Sequence, residues 1–339
     1  MTPVFRLCAA LVLAAAPLTA EAATFEIVDT RRYTDAEMRD RFLCNIEIRG
    51  PIETGDAERL QGIFDAQFQN PPPDPTGWIA CLDSAGGQFE AGIALGEVLA
   101  RYGWATRVRQ DAECLSACAV AFLFGTFVAY DNALNLRIMD RGARVGFHAP
   151  RLQYDGDDVP GAVVGQAYDA ALIGLGNLMN AAMNAPRLAP GEVLPRRLLS
   201  GMLAAGADEF YEIETIHQLV AYDIVLSLLN WQMPESVTSV DIWPGHVCVN
   251  AHLAQGLGVD PLQPIGLLNT HHWGIPDPPQ GWLEYHIDDF WTNACHIRYD
   301  EEGKFFEVET FRSGTETGSA WMQLYAVVAP ETTIASLPR

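Results

Sequence analysis

The chain has 339 residues, 49% hydrophobic and 19% charged, which is the composition of one large globular domain or two smaller ones. Disordered, collagen-like and coiled-coil chains are excluded on that basis. With 43 Asp+Glu against 21 Lys+Arg the net charge is −22, so a phosphate backbone would be repelled and nucleic-acid binding is disfavoured.

The N-terminus has the pattern of a secretory signal. Arg6 supplies the positive charge, and Leu7 to Leu18 is an apolar run too short to span a bilayer comfortably. Ala20-Glu21-Ala22 offers a cleavage site that makes Ala23 the mature start. The predicted product is periplasmic or secreted, with no later segment long enough for a membrane span. An uncleaved anchor is the competing expectation.

From there strand-like and helix-like segments alternate. Phe42–Ile48 is expected as a strand, Asp56–Phe68 as an amphipathic helix and Trp78–Leu82 as a strand. Phe89–Tyr102 reads as a helix ending at Gly103, Ala105–Val108 as a strand and Leu115–Phe124 as a buried small-residue helix. Arg144–Phe147 is a strand, Val163–Met183 a long helix and Arg196–Ala205 a shorter one. Such alternation predicts a parallel sheet flanked by helices. Beyond Trp231–Pro234, the runs Trp282–Ile287, His296–Tyr299, Phe305–Phe311 and Trp321–Val328 suggest antiparallel strands. The expected organisation is a signal over 1–22, an α/β domain over 23–232 and a small mainly β domain over 233–339.

With Cys8 inside the signal, six cysteines remain, an even number that suits disulfides in an exported protein. Cys44 and Cys81 fall in strand-like runs that neighbouring strands could join. Cys248 and Cys295 form the natural second pair. Cys114 and Cys118 are only four apart, a separation expected to be too constrained for a bridge.

Lys304 is the only lysine, and no G-x-x-x-x-G-K-[ST] loop occurs. Lys304 lies in a D-E-E-G-K-F-F turn, which makes a Ser–Lys dyad improbable. Three other signals line up. C-L-D-S-A-G-G (Cys81–Gly87) ends a strand in paired glycines that can turn backbone amides into a cleft. E-C-L-S-A-C-A (Glu113–Ala119) puts Ser116 among small residues at the start of an apolar helix, where backbone N–H groups favour a nucleophile. V-G-F-H-A-P (Val145–Pro150) ends a strand at His148, the usual residue type for activating a serine hydroxyl.

In order and spacing these motifs resemble the proteolytic subunit of the Clp protease and its crotonase-like relatives, nearest to an exported bacterial branch, over about residues 40–225. The resemblance implies an α/β fold of the crotonase-like (Clp protease-like) β/α spiral type and a serine-peptidase site. It implies Ser116 as nucleophile, His148 as general base, and the amides of Gly87 and Ala117 as oxyanion hole. An extended peptide or protein substrate would add to a sheet edge beside Gly86 and Gly87. Asp208, in Asp208-Glu209-Phe210, matches the triad acid, with Glu212 and Glu214 as alternatives. No cofactor and no metal are implied, and an oligomer is left open.

Ala85 stands where the family turn has proline, which motivates a second reading, a peptide- or protein-binding module without catalysis. A third is acyl-CoA chemistry, in which two backbone amides hold an enolate in the same place; export argues against it. His271-His272, His286 and His296 with Asp288 and Asp289 could be considered for a metal, but no H-E-x-x-H or C-x-x-C spacing occurs, so loop histidines are expected there.

Overall fold

The computed structural model describes residues 22–28, 43–68, 77–129, 132–150, 161–185, 193–206, 209–227, 243–255, 283–286, 293–299, 305–313, 315–323 and 329–337. The signal-like segment and the histidine pair 271–272 lie outside these residues.

Four successive units repeat one pattern: a strand in a large sheet, a short segment paired outside it, then a helix. The first is β2 (Ile46–Arg49), Ile52 and α1 (Asp56–Gln67). The second is β3 (Trp78–Asp83), Ser84 to Gly87 and α2 (Phe89–Arg101). The third is β4 (Trp104–Val108), β5 (Glu113–Leu115) and α3 (Ala117–Phe122). A hairpin, β6 (Thr126–Ala129) and β7 (Asn132–Asn135), follows. The fourth unit is β8 (Arg137–Asp140), β9 (Arg144–Phe147) and α4 (Gly161–Asn184). Then come α5 (Arg196–Ala204), β10 (Tyr211–Glu212), α6 (Ile216–Ala221) and β11 (Ile224–Ser227).

The large sheet has the order β1-β2-β3-β4-β8-β11, where β1 (Thr24–Ile27) is an antiparallel edge and the others are parallel. The short segments join Ile52 to Gly87, Ser84 to Cys114, and β5 to β9 to β10. This mixed α/β architecture agrees with the alternation in the sequence.

Helix faces explain the layering. Leu60 and Phe64 form the buried stripe of α1, and the Phe64 ring stacks on Trp104 with centroids 4.1 Å apart. On α2, Gly92 lets α3 approach so closely that a methyl group there would lie 2.3 Å from the Ala117 carbonyl oxygen. The strand β8 is fully buried although it begins with Arg137 and ends with Asp140. Both charges are partnered: Arg137 donates to the carbonyls of Tyr222 and Val193, and Asp140 takes a two-pronged pair from Arg107 at 2.9 Å. Removing one member of so buried a pair breaks both of its charge-assisted hydrogen bonds. Asp140→Ala is therefore expected to cost about 3–5 kcal/mol in a urea unfolding measurement, and a paired Arg107→Met/Asp140→Leu change far less.

The later part of the chain holds α7 (Trp243–Ala254) and an antiparallel sheet β12 (Leu283–His286), β13 (Asn293–Tyr299), β14 (Phe305–Arg312) and β15 (Thr315–Gln323). The first three strands overlap the runs in which alternation predicts them, whereas β15 begins six residues before the expected Trp321–Val328 and shares only Trp321–Gln323 with it. The helix α7 was not foreseen; Val247, Cys248, Val249, Ala251, His252 and Leu253 are all buried, so it carries no amphipathic period. His296 is also no loop residue: it is buried on β13, beside the Glu309 carboxylate at 3.3 Å and against the Phe311 ring. Residues 329–337 return to the α/β layer, where Ile216 and His217 donate to the carbonyls of Thr332 and Pro330.

Cys44–Cys81 and Cys248–Cys295 are bonded as expected. Cys114–Cys118 is bonded too, with Cα atoms 5.0 Å apart, which corrects the expectation that its spacing forbids a bridge. The chain turns sharply at Ser116, and that turn brings the two Cα atoms within bridging range. By loop-closure entropy the 37- and 47-residue separations would each contribute about 4 kcal/mol, and the four-residue one only about 2 kcal/mol. No described helix is long and apolar enough to cross a membrane.

Candidate functional site

The three motifs meet at one end of the short-segment layer. Ser84 donates its amide to the Glu113 carbonyl, and Leu115 donates to the Ser84 carbonyl, so the glycine turn is clamped onto β5. Gly86 then lies against the side chain of Ser116: a methyl group on Gly86 would sit 2.7 Å from the Ser116 Cβ and 3.3 Å from its Oγ. Gly87, at φ +150°, is pressed onto Ile52, whose carbonyl oxygen would lie 2.1 Å from any Cβ there. Only glycine fits either position.

Ser116 has φ 55° and ψ −121°, a conformation that L-residues rarely adopt and that costs about 1–3 kcal/mol. It stands between the last residue of β5 and the first of α3. This differs from the expected helix over Leu115–Phe124: the helix starts only at Ala117, and the preceding turn lifts the serine out of both elements. The Ser116 amide donates to the Gly146 carbonyl at 2.9 Å, and its carbonyl accepts from Val120. Its side chain is half-buried, and its hydroxyl makes no hydrogen bond with any described residue. The amides of Gly87 and Ala117 likewise have no acceptor among the described residues.

His148 follows directly on β9, the parallel partner of β5, with Leu115 opposite Gly146. Serine and histidine thus hang from adjacent strands, but they are not hydrogen-bonded to each other. The His148 Nδ1 lies 2.7 Å from the Ala149 carbonyl oxygen. A carbonyl can only accept, so Nδ1 is the protonated nitrogen, and in the neutral ring Nε2 keeps its lone pair. The ring also packs edge-on against Phe210, with centroids 5.1 Å apart. This follows from the antiparallel register that pairs Tyr211 with Phe147.

Asp208 lies outside the described residues. Of the two alternatives, Glu212 is engaged elsewhere, in an ion pair with Arg144 at 2.6 Å that raises the already high pKa of that guanidinium. Glu214 donates its amide to the Gln218 side chain at the start of α6. The Ala149 carbonyl contact at the His148 Nδ1 is one that no residue type in the sequence signals.

A mixed-charge cavity of about 220 Å³ opens nearby at the C-terminal ends of β2–β4, lined by Glu47, Arg49, Asp83, Arg109 and Asp111. Its two arginines are already paired to Glu47. Among the described residues, Cys248, His252 and Cys295 bring three metal-binding atoms within 4.8 Å of one another, but the two sulfurs are joined as a disulfide, which leaves only the imidazole to donate. No protein-family model matches this chain, and no curated protein matches it either.

Proposed function

We propose that the chain is a serine hydrolase, a peptidase working through an acyl-enzyme, on a Clp protease-like variant of the crotonase spiral. The observation that carries the reading is the strained turn at Ser116, a serine held out of regular structure beside two unoccupied amides. The fourfold strand–segment–helix repeat supports the spiral, and the disulfides support an oxidising, periplasmic or extracellular setting.

In this reading an extended peptide lies along Gly86 and Gly87. The Ser116 Oγ attacks the scissile carbonyl carbon while its proton passes to the His148 Nε2. The carbonyl oxygen becomes an oxyanion and accepts from the Gly87 and Ala117 amides. The C–N bond then breaks as His148 returns the proton to the leaving amine. Water, deprotonated by the same nitrogen, releases the acyl group and restores the serine. The Ala149 carbonyl fixes the tautomer, and Asp208 keeps its proposed role as the triad acid that supports the imidazolium.

Treatment with a fluorophosphonate probe, followed by tryptic digestion and mass mapping, tests this. One adduct is expected, on the peptide between Arg109 and Arg137, in which Ser116 is the only serine. An adduct elsewhere overturns the assignment. The unmade Ser116–His148 hydrogen bond favours a second reading, the non-catalytic binding module, which a probe-silent wild type would support.

A further inference from the structure

We infer that the Cys114–Cys118 disulfide is the positioning staple of the Ser116 turn, an assignment that rests on the hydrolase reading above. The two cysteines stand on either side of the serine, Cys114 in β5 and Cys118 in the first turn of α3. Four residues of extended chain would separate their Cα atoms by about 13 Å. The observed distance is 5.0 Å. Residues 113–115 are strand and 117–122 are helix, so the reversal falls on one residue, Ser116, at φ 55° and ψ −121°. Closing the sulfur bridge and forcing the serine into its disfavoured backbone region are therefore the same geometric demand.

Other restraints act on one side of the turn or the other. The Leu115 amide is held by the Ser84 carbonyl, the Ser116 amide by the Gly146 carbonyl, and Val120 ties the helix back to Ser116. The disulfide adds a second covalent link across the turn, beside the backbone itself. Its location also sets its role. Both cysteines are 0% exposed, so the bridge is shielded from reductants and acts as a permanent part of the site rather than as a switch. Its four-residue ring restrains the unfolded chain less than either of the other two bridges, so its effect belongs to local geometry more than to global stability.

The consequence for the site runs through the Ala117 amide and the Ser116 hydroxyl. If the turn relaxes toward an ordinary backbone conformation, the Ser116 hydroxyl and the Ala117 N–H change direction with it, because both hang from the turn that the bridge closes. A misplacement of about 1 Å around a nucleophile lowers reactivity by about a hundredfold.

The test compares Cys114→Ala/Cys118→Ala with Cys248→Ala/Cys295→Ala. The second pair removes a bridge that contributes more to stability but lies away from the turn. Fluorophosphonate labelling of Ser116 is followed as a second-order rate at a temperature where both variants remain folded, alongside amide hydrogen exchange of Leu115 and Ser116. The expected result is a 10- to 100-fold slower labelling and faster exchange for the Cys114/Cys118 variant alone, with labelling within about threefold of wild type for the other. Unchanged labelling in the first variant, or equal losses in both, overturns the staple. If wild-type protein takes up no probe, the hydrolase reading fails separately. The exchange measurement still decides the staple, because unchanged protection of Ser116 would remove it. Should the double alanine variant not fold, Cys114→Val/Cys118→Ala, which replaces part of the lost sulfur volume, serves the same comparison.

Discussion

Ser116→Ala is expected to abolish fluorophosphonate labelling, and His148→Gln to slow it by about 10³–10⁴-fold. A serine hydroxyl is a weak nucleophile until a base takes its proton, and His148 places an imidazole directly after β9, the strand paired with β5. The size of the Asp208→Asn effect separates two ways of orienting that ring. Where a carboxylate alone sets the tautomer, its amide replacement lowers turnover by about 10⁴-fold. Here the Ala149 carbonyl already accepts from Nδ1 at 2.7 Å, so Asp208→Asn is expected to cost only about tenfold. Second-order labelling rates for the three variants check this. A wild-type rate for His148→Gln removes the histidine from the mechanism, and a 10⁴-fold loss for Asp208→Asn transfers the orienting role from the carbonyl to the carboxylate.

The second large effect is expected at Gly86→Ala. Gly86 has φ +112°, and its added methyl would lie 2.7 Å from the Ser116 Cβ and 2.9 Å from the Leu115 carbonyl oxygen. The backbone penalty is about 1–3 kcal/mol. The overlap with rigid neighbours adds about 1–3 kcal/mol more. Because the neighbour that must yield is the serine, labelling should fall by about a hundredfold even in the fraction that folds. Gly62→Ala, on an open face of α1 with nothing within 4 Å, is the matched control and should stabilise the protein by about 0.5–1 kcal/mol. Urea unfolding and labelling, measured on both variants, distinguish damage to the site from damage to the fold. Equal labelling by Gly86→Ala and wild type would mean that the turn does not press on the nucleophile.

The amphipathic stripes of α1 and α2 and the apolar run of β3 were legible because each buries a single face or a continuous core strand, and their ends differ by no more than about one residue from expectation. The strand β8 escaped notice because its burial depends on partners from other parts of the chain. Arg137 is satisfied by Tyr222 and Val193, and Asp140 by Arg107, none of them local. Short β5 is not legible, and its last residue, Leu115, falls inside the expected helix, since three residues carry too little periodicity to mark a strand. Ser116, His148 and the glycine pair could be singled out as residue types in a telling order. Their mutual approach depends on strand pairing, which spacing alone does not encode. The Cys114–Cys118 bridge illustrates the same limit, because a separation of four does not reveal how the chain turns between the cysteines, which the dihedrals of Ser116 decide.

Residues 329–337 give the molecule a finishing step. Their carbonyls anchor the start of α6, and Ile334 donates back to Glu214, two residues after the short strand that lies along β9. The stretch that brings Phe210 to the imidazole is therefore secured by chain that emerges from the ribosome far later than the imidazole itself. Closing this corner of the protein therefore depends on a segment remote in sequence from His148, and removing residues 329–337 would loosen the neighbourhood of His148 without deleting a single residue of it.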